Sequence, residues 1–232
     1  MAKKRRVLKQ ARMLRVMSGE DRDLVAHALR AAANVGVPPY RAVVAARNLI
    51  YSTRLRGAKR LGRPTISVGN LTAGGTGKTP MVIELVDRLR AMGHRPAVLL
   101  RGYEPGGLES KQGSDEAAVL RGALGDDVPV RPNPSRVAAA KAVLDERPDL
   151  TVFVLDDGFQ HRRAARDLDL VLVDATRPFG HGRLLPRGLL REPRRALRRA
   201  DAIVITRADR ATDTELADLT RRVTRLHGRS PV

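Results

Sequence analysis

The residues best suited to chemistry stand together in the run Thr72-Ala73-Gly74-Gly75-Thr76-Gly77-Lys78-Thr79. A glycine-rich loop closing on Gly-Lys-Thr turns its backbone N–H groups inward on phosphates. Its lysine reaches the terminal phosphates, and its last hydroxyl can hold Mg²⁺. An apolar stretch, Thr65-Ile66-Ser67-Val68, precedes the loop and a helix-like one, Met81 to Met92, follows it. A helix N-terminus behind the loop adds positive potential. This is the chemistry of a nucleoside triphosphate with Mg²⁺. One position departs from G-x-x-x-x-G-K-[ST]: the first glycine is replaced by Thr72.

Two acids offer a metal partner. Val152-Phe153-Val154-Leu155-Asp156-Asp157 is an apolar strand ending in carboxylates. Beside a P-loop it reads as Walker-B-like, with Asp156 or Asp157 holding Mg²⁺ directly or through water. Spacing does not choose between the two. By themselves, ahead of Gly158, they could equally cap a turn.

The loop alone does not separate a kinase from a GTPase or an ATP-driven switch. Partitioning ATPases carry a lysine where this chain has Ala73, which speaks against them. A GTPase wants Asn/Thr-Lys-x-Asp after a late strand. Thr206-Arg207-Ala208-Asp209 follows such a strand but carries Arg207 in the lysine position.

Positioning these groups requires strands that end on one edge. Apolar runs at Thr65–Val68, Ala97–Leu100, Val152–Leu155, Leu170–Val173 and Ala202–Ile205 read as buried parallel strands. Between them, Val82, Leu85, Val86 and Leu89 mark one apolar helix face, and Val137 to Leu144 marks another helix. The alternation predicts an α/β, P-loop NTPase-like, doubly wound and mainly parallel sheet, with ligands at the carboxyl ends of the strands. The run Arg191 to Arg199 reads as a solvated helix face.

Residues 1–60 form a basic helical extension, and 61–232 the nucleotide-binding domain. Asp23 to Ala33 and Tyr40 to Tyr51 read as two amphipathic helices, separated by Asn34, Gly36, Pro38 and Pro39. In the second, Val43, Val44, Ala46, Leu49 and Ile50 are flanked by Arg41, Arg47 and Arg54. That pattern suits a helix on a membrane surface and a helix packed on the main domain equally well.

Of 44 basic residues in the 232-residue chain only 7 are Lys, and the formal net charge is +19. Arginine pairs bidentately with phosphate, so an anionic partner fits, although solvated faces alone would give the same composition. Aromatic residues are only 3%, too few for a platform on which single-stranded bases stack, so no nucleic-acid partner is expected. The absence of cysteine excludes disulfides and Cys-ligated zinc. No stretch approaches the roughly 20 apolar residues needed to span a bilayer. The basic start, Met1 to Arg6, has no apolar core and cleavage site after it, so no secretory signal is expected.

Several segments in order resemble one family, the tetraacyldisaccharide 4′-kinase or lipid A 4′-kinase. They are Val68-Gly69-Asn70-Leu71 running into the P-loop and Pro80, then Arg101-Gly102-Tyr103, then Ser114-Asp115-Glu116. There follow Asp156-Asp157-Gly158-Phe159-Gln160-His161-Arg162, Gly182-Arg183-Leu184-Leu185-Pro186 and Leu190-Arg191-Glu192-Pro193. The family's P-loop also opens with Ser or Thr, which accounts for Thr72. The resemblance runs from about Tyr40 to Asp209.

It implies transfer of the γ-phosphoryl group of ATP, with Mg²⁺, to the 4′-hydroxyl of an acylated glucosamine disaccharide 1-phosphate lipid. It also implies a peripheral place on the cytoplasmic face of the inner membrane, against an anionic surface. The phosphates fall to Thr72, Ala73, Gly74, Gly75, Thr76, Gly77, Lys78 and Thr79, and the metal to Thr79, Asp156 and Asp157. Catalysis falls to Lys78 and to Asp115, the implied base for the sugar hydroxyl; by itself Asp115 reads as a loop acid or a helix N-cap. Arg101 and Arg162 are candidate phosphate or substrate contacts, with a structural role equally open. The family further implies a Thr-Glu-Lys-Asp and a Phe-x-Asp-His segment, whose His pairs with the catalytic Asp. The sequence ends at Val232 without either, and His227 does not match. The expectation is a shortened copy, or one using another group for that His, and loss of such a partner would cost roughly 10²–10⁴ in rate. A catalytically impaired module that binds ATP and anionic lipid without turnover is the alternative expectation.

Overall fold

Apolar runs that must lose all contact with water on both faces become the interior strands of one sheet. The computed structural model describes residues 12–53, 57–102 and 108–232. Its strands are β1 (Thr65–Asn70), β2 (Pro96–Leu100), β3 (Val130–Pro132), β4 (Val152–Asp156), β5 (Leu168–Asp174) and β6 (Ala202–Thr206). They pair in the order β3-β2-β4-β1-β5-β6, every pair parallel. The helices are α1 (residues 12–18), α2 (Leu24–Ser52), α3 (Lys78–Ala91), α4 (Leu108–Leu124), α5 (Arg136–Glu146) and α6 (Asp213–His227).

The two-residue period of the strands sorts the core. On β2, Val98 and Leu100 join Val82, Val86 and Leu89 of α3 and Leu120 of α4. Ala97 and Leu99 point the other way, to Ala139, Ala140 and Val143 of α5. Val171, Val173 and Ile203 of β5 and β6 pack with Leu219 and Val223 of α6. The sheet is therefore covered on both faces, as the doubly wound reading expects.

The sheet order sets the site. β1, which leads into the P-loop, lies between β4 and β5, and its Val68 stands opposite Asp156 in the register. The cradle and the acids thus emerge side by side from one edge.

Two expectations about elements change. α2 runs unbroken through Pro38 and Pro39, where two helices were expected. Two prolines remove two backbone donors, but both residues are exposed, so water can satisfy the freed carbonyls. Contacts of Tyr40, Arg47 and Asn48 with the main body hold the second half in line. The edge strand β3 is too short, at three residues ending in Arg131 and Pro132, to leave an apolar run in the sequence. Arg54, Tyr103 and the run Met1 to Arg6 lie outside the described residues. No helix among the described residues is long and apolar enough to cross a membrane.

Candidate nucleotide and metal site

Thr72 to Thr79 links β1 to α3. Gly74 (φ 116°) and Gly77 (φ 84°) occupy the left-handed region that favours glycine. Gly77 caps α3, so Lys78 and Thr79 sit in the helix's first turn. A Cβ built at Gly74 or Gly75 meets no atom within 4 Å, which leaves open space over the cradle for phosphate oxygens.

Thr72 is nearly buried, and its side chain is used. The Asn70 amide donates to the Thr72 carbonyl at 2.8 Å and to its Oγ1 at 3.2 Å. A glycine could not accept the second bond. The loop is also tied back by Ala73 N–H to the Leu189 carbonyl at 2.7 Å and by Thr206 Oγ1 to the Thr76 carbonyl at 2.9 Å. Thr206 thus braces the P-loop, while Arg207 turns to an ion pair with Asp174.

Lys78 Nζ donates to Asn70 Oδ1 at 3.1 Å and lies 3.6 Å from Asp157 Oδ1. Asp157 follows β4 in a left-handed turn (φ 54°). Arg191 grips both of its oxygens, at 2.7 and 2.8 Å, and also donates to Asn70 Oδ1. Burial alone would raise the Asp157 carboxyl, but the hydrogen bond and charge of Arg191, with Lys78 and Arg136, outweigh it and hold it at about 2. Asp156 is the contrasting case. Burial pushes it up to about 6 against the charge of Lys78, with Asp157 and Glu116 adding to the rise. Its Oδ1 is buried and has no hydrogen-bond partner.

That orphaned oxygen fits a cation better than a purely structural acid. No cluster of three or more His, Cys, Asp or Glu side chains that could hold a metal occurs among the described residues. A pair of carboxylates beside a phosphate cradle matches Mg²⁺, which keeps several waters and binds through one or two carboxylates plus phosphates.

The loop after Asp157 is braced throughout. Gly158 sits where a Cβ would meet Ser67 Oγ at 2.5 Å, and Phe159 is fully buried. Gln160 donates to the Asn70 carbonyl at 2.8 Å. Arg166, paired with Asp169 at 2.6 Å, donates to the carbonyls of Gly158, Phe159 and His161. Arg162 binds the Asn48 carbonyl at 2.9 Å and Ser52 Oγ at 3.3 Å, so its role in this structure is to hold α2. Arg101 is exposed at the end of β2.

Asp115 lies inside α4, neither in a loop nor at an N-cap, and is exposed. The structure does not bring it against Lys78 or the acid pair. Its neighbour Glu116 does act on Asp156 electrostatically. The run Arg191 to Arg199 is not a solvated face either. Arg191 and Arg199 are half-buried in ion pairs with Asp157 and Glu192, and Ala196 and Leu197 are in the core. Sequence reasoning missed Asn70 and Arg191 as site-forming residues. Both stand in the motif runs, but charge density alone gave Arg191 no distinction from its arginine neighbours.

Between α2 and the Gly182 to Arg194 stretch lies an open cleft of 640 Å³. Arg41, Arg183, Arg187 and Arg194 line it together with Val37 and Leu184. None of the four arginines has a carboxylate within ion-pair distance among the described residues.

Residues 32–230 match the family described as tetraacyldisaccharide-1-P 4′-kinase. The chain is 46% identical over 206 residues to a tetraacyldisaccharide 4′-kinase of Anaeromyxobacter sp. (strain Fw109-5), covering 83% of this chain and 55% of that protein. To the protein of the same name in Geobacter sulfurreducens it is 45% identical, covering 83% of this chain and 58% of the relative. The chain therefore spans about half the length of the curated relatives it matches. Among solved structures, LpxK from Aquifex aeolicus, an "apo" form in complex with ATP, superposes with a TM-score of 0.69 at 34% identity, covering 78% of this chain and 60% of that one. With a P-loop, paired acids and matched residues over most of its length, the chain belongs to the tetraacyldisaccharide-1-P 4′-kinase family.

Proposed function

We propose that the chain is an ATP-dependent kinase that transfers the γ-phosphoryl group to the 4′-hydroxyl of a tetraacyldisaccharide 1-phosphate in lipid A biosynthesis. The carrying observation is the meeting of Lys78 with Asp157 and the unpartnered Asp156 oxygen at the mouth of the P-loop, in a chain of this family.

Phosphoryl transfer through a loose transition state needs positioning and neutralisation of charge more than covalent help. Backbone N–H groups from Gly74 to Thr79 hold the β-phosphate at the N-terminus of α3. Lys78 leaves Asn70 and Asp157 for the β/γ bridge. Thr79 and Asp156 would hold Mg²⁺, with Asp157 in reach through water. When bound, Mg²⁺ offsets the charge that spreads over the phosphate oxygens. Arg191 keeps Asp157 ionised and aimed. Asp115 would take the proton from the sugar hydroxyl. The Arg-lined, partly apolar cleft suits a phosphorylated, acylated headgroup, and the exposed apolar residues of α2 suit a peripheral place on an anionic membrane surface.

A second reading is a module that binds ATP and anionic lipid without turnover. The exposure of Asp115, with no hydrogen bond or ion pair to orient it among the described residues, favours it. The two separate in one assay with γ-labelled ATP, Mg²⁺ and the disaccharide 1-phosphate lipid. Label transferred to lipid, and lost in Asp115→Ala, supports the kinase. ATP binding without transfer supports the module.

A further inference from the structure

Glu192 is fully buried and sits at the centre of an ion cluster outside the P-loop. Its Oε1 accepts from Arg47 at 2.9 Å, and its Oε2 accepts from Asn48 and from Arg199, each at 2.9 Å. Arg47 and Asn48 belong to α2, and Arg199 closes the short helix Arg194–Arg199. One carboxylate therefore ties two elements together.

α2 buries little apolar surface. Only Ala26 and Val44 are buried along its 29 residues, whereas Leu24, Val35, Val43 and Leu49 are exposed. Gly36 packs closely on Pro186, and polar ties add to this: Tyr40 Oη to the Arg191 carbonyl at 3.0 Å, and Arg162 to the Asn48 carbonyl and Ser52 Oγ. A helix with so thin an apolar seam leans on such contacts, and a buried ion cluster that loses one member leaves the others uncompensated.

Two routes lead from Glu192 to Asp157. Along the chain, the preceding residue is Arg191, which holds both Asp157 oxygens and whose carbonyl Tyr40 also grips. Through space, the Arg199 guanidinium lies 4.5 Å from the centre of the Phe159 ring. Phe159 stands two residues after Asp157 and is wedged against Gly69, where an added Cβ would come within 2.5 Å of it. Lys78 apart, the supports of Asp157 thus pass through groups that Glu192 binds or adjoins.

We propose that Glu192 is a positioning residue for the Mg-ATP site: by clamping α2 to the Arg191–Arg199 segment, it fixes the two groups, Arg191 and Phe159, that hold Asp157 in place. Docking of α2 and the geometry of the acid pair are then one state of the molecule. The proposal rests on the reading of the P-loop as a Mg-ATP site, but not on turnover.

The test is calorimetric titration of the full chain with Mg-ATP, alongside thermal melting. Arg47→Gln removes an arm of the clamp from α2, at a residue whose hydrogen bond and ion pair go to Glu192 and not to the P-loop, and Glu192→Gln removes its centre. Each should weaken Mg-ATP binding about fivefold or more, within the usual range of coupling between sites. The double variant should be no weaker than Glu192→Gln alone, and Arg47→Lys should recover most of the affinity. Variants that melt earlier but bind Mg-ATP as the wild type does would overturn the proposal and leave Glu192 a purely structural acid. Should Glu192→Gln not fold, Arg47→Gln and Asn48→Ala decide by the same two readouts. A wild-type chain that binds Mg-ATP but phosphorylates no lipid would sink the kinase reading and leave the coupling standing. One that binds no Mg-ATP overturns both.

Discussion

Arg191 holds Asp157 in a two-pronged ion pair, at 2.7 and 2.8 Å, and the same guanidinium reaches the Asn70 oxygen that Lys78 also binds. An arginine 34 residues on in sequence, whose own N–H binds the Leu71 carbonyl at 2.7 Å, thereby sets the acid, and through Asn70 the lysine, of the nucleotide site. Breaking one side of a mostly buried pair leaves a charge without compensation. Arg191→Gln should lower unfolding free energy by about 3 kcal/mol, the low end for such a loss because both side chains keep some water contact. Urea unfolding measures it, and a change below 1 kcal/mol (roughly the value of a surface pair) would show that the pair is solvent-screened.

Lys78 has no role in the fold beyond Asn70 and Asp157, so its removal should be felt in chemistry. Lys78→Met should reduce kcat by about 10²–10³, as for other donors aimed at developing charge. Melting should stay near wild type. Initial rates at saturating ATP check this, and a Lys78→Met chain as active as the wild type would remove the lysine from the mechanism.

Two glycines predict opposite outcomes. A Cβ at Gly69 would sit 2.5 Å from Phe159 Cβ and 2.8 Å from Phe159 N, in the packed core. Gly69→Ala should therefore destabilise by about 1–3 kcal/mol, as overpacking does. At Gly75 an added Cβ meets nothing. Gly75→Ala should leave stability within about 0.5 kcal/mol, as at an unconstrained position, and weaken ATP binding by crowding the cradle. Melting curves and nucleotide titrations of the pair settle both; a destabilised Gly75→Ala with normal ATP affinity would contradict the cradle.

His161 gives a pH signature. Burial, then the charges of Arg136, Arg166, Arg163 and Arg101, push its imidazole down from 6.5 to about 4. Between those values the unfolded chain binds a proton that the folded chain refuses, so this group's own contribution to stability rises with pH across that window. Its contribution is intact above 6.5 and is lost progressively as the pH falls toward 4. The depressed Asp157 acts lower: its stabilisation, present above 3.8, is lost as the pH falls through about 2. Asp156, raised from 3.8 to about 6, works in the opposite direction, so the two largely offset between about pH 4 and 6: denaturation midpoints there should be nearly flat in the wild type and fall with rising pH in His161→Gln. An unchanged slope in the variant would assign the dependence to other groups.

The parallel sheet was legible because buried strands write apolar runs, and the P-loop because only Gly-rich backbone can surround phosphate. Arg191 and Glu192 were hidden by composition: in a chain with 44 basic residues, one more arginine carries no local signal. Their partners lie far off in sequence, Asp157 at 34 residues and Arg47 at 145. The unbroken α2 was missed because Pro38 and Pro39 break helices locally, while Tyr40, Arg47 and Asn48 bind a segment that folding alone brings near. Asp156 and Asp157 could not be told apart by spacing. Arg191 distinguishes them by occupying both oxygens of one and leaving one oxygen of the other without a partner.

The most direct test of the central claim is tandem mass spectrometry of the lipid after incubation with the chain, ATP and Mg²⁺. A second phosphate located on the 4′-oxygen, absent with Lys78→Met and with Asp115→Ala, is the result the account predicts. Lipid recovered unchanged from a chain that binds Mg-ATP tightly would contradict the kinase and leave a nucleotide-binding module in its place.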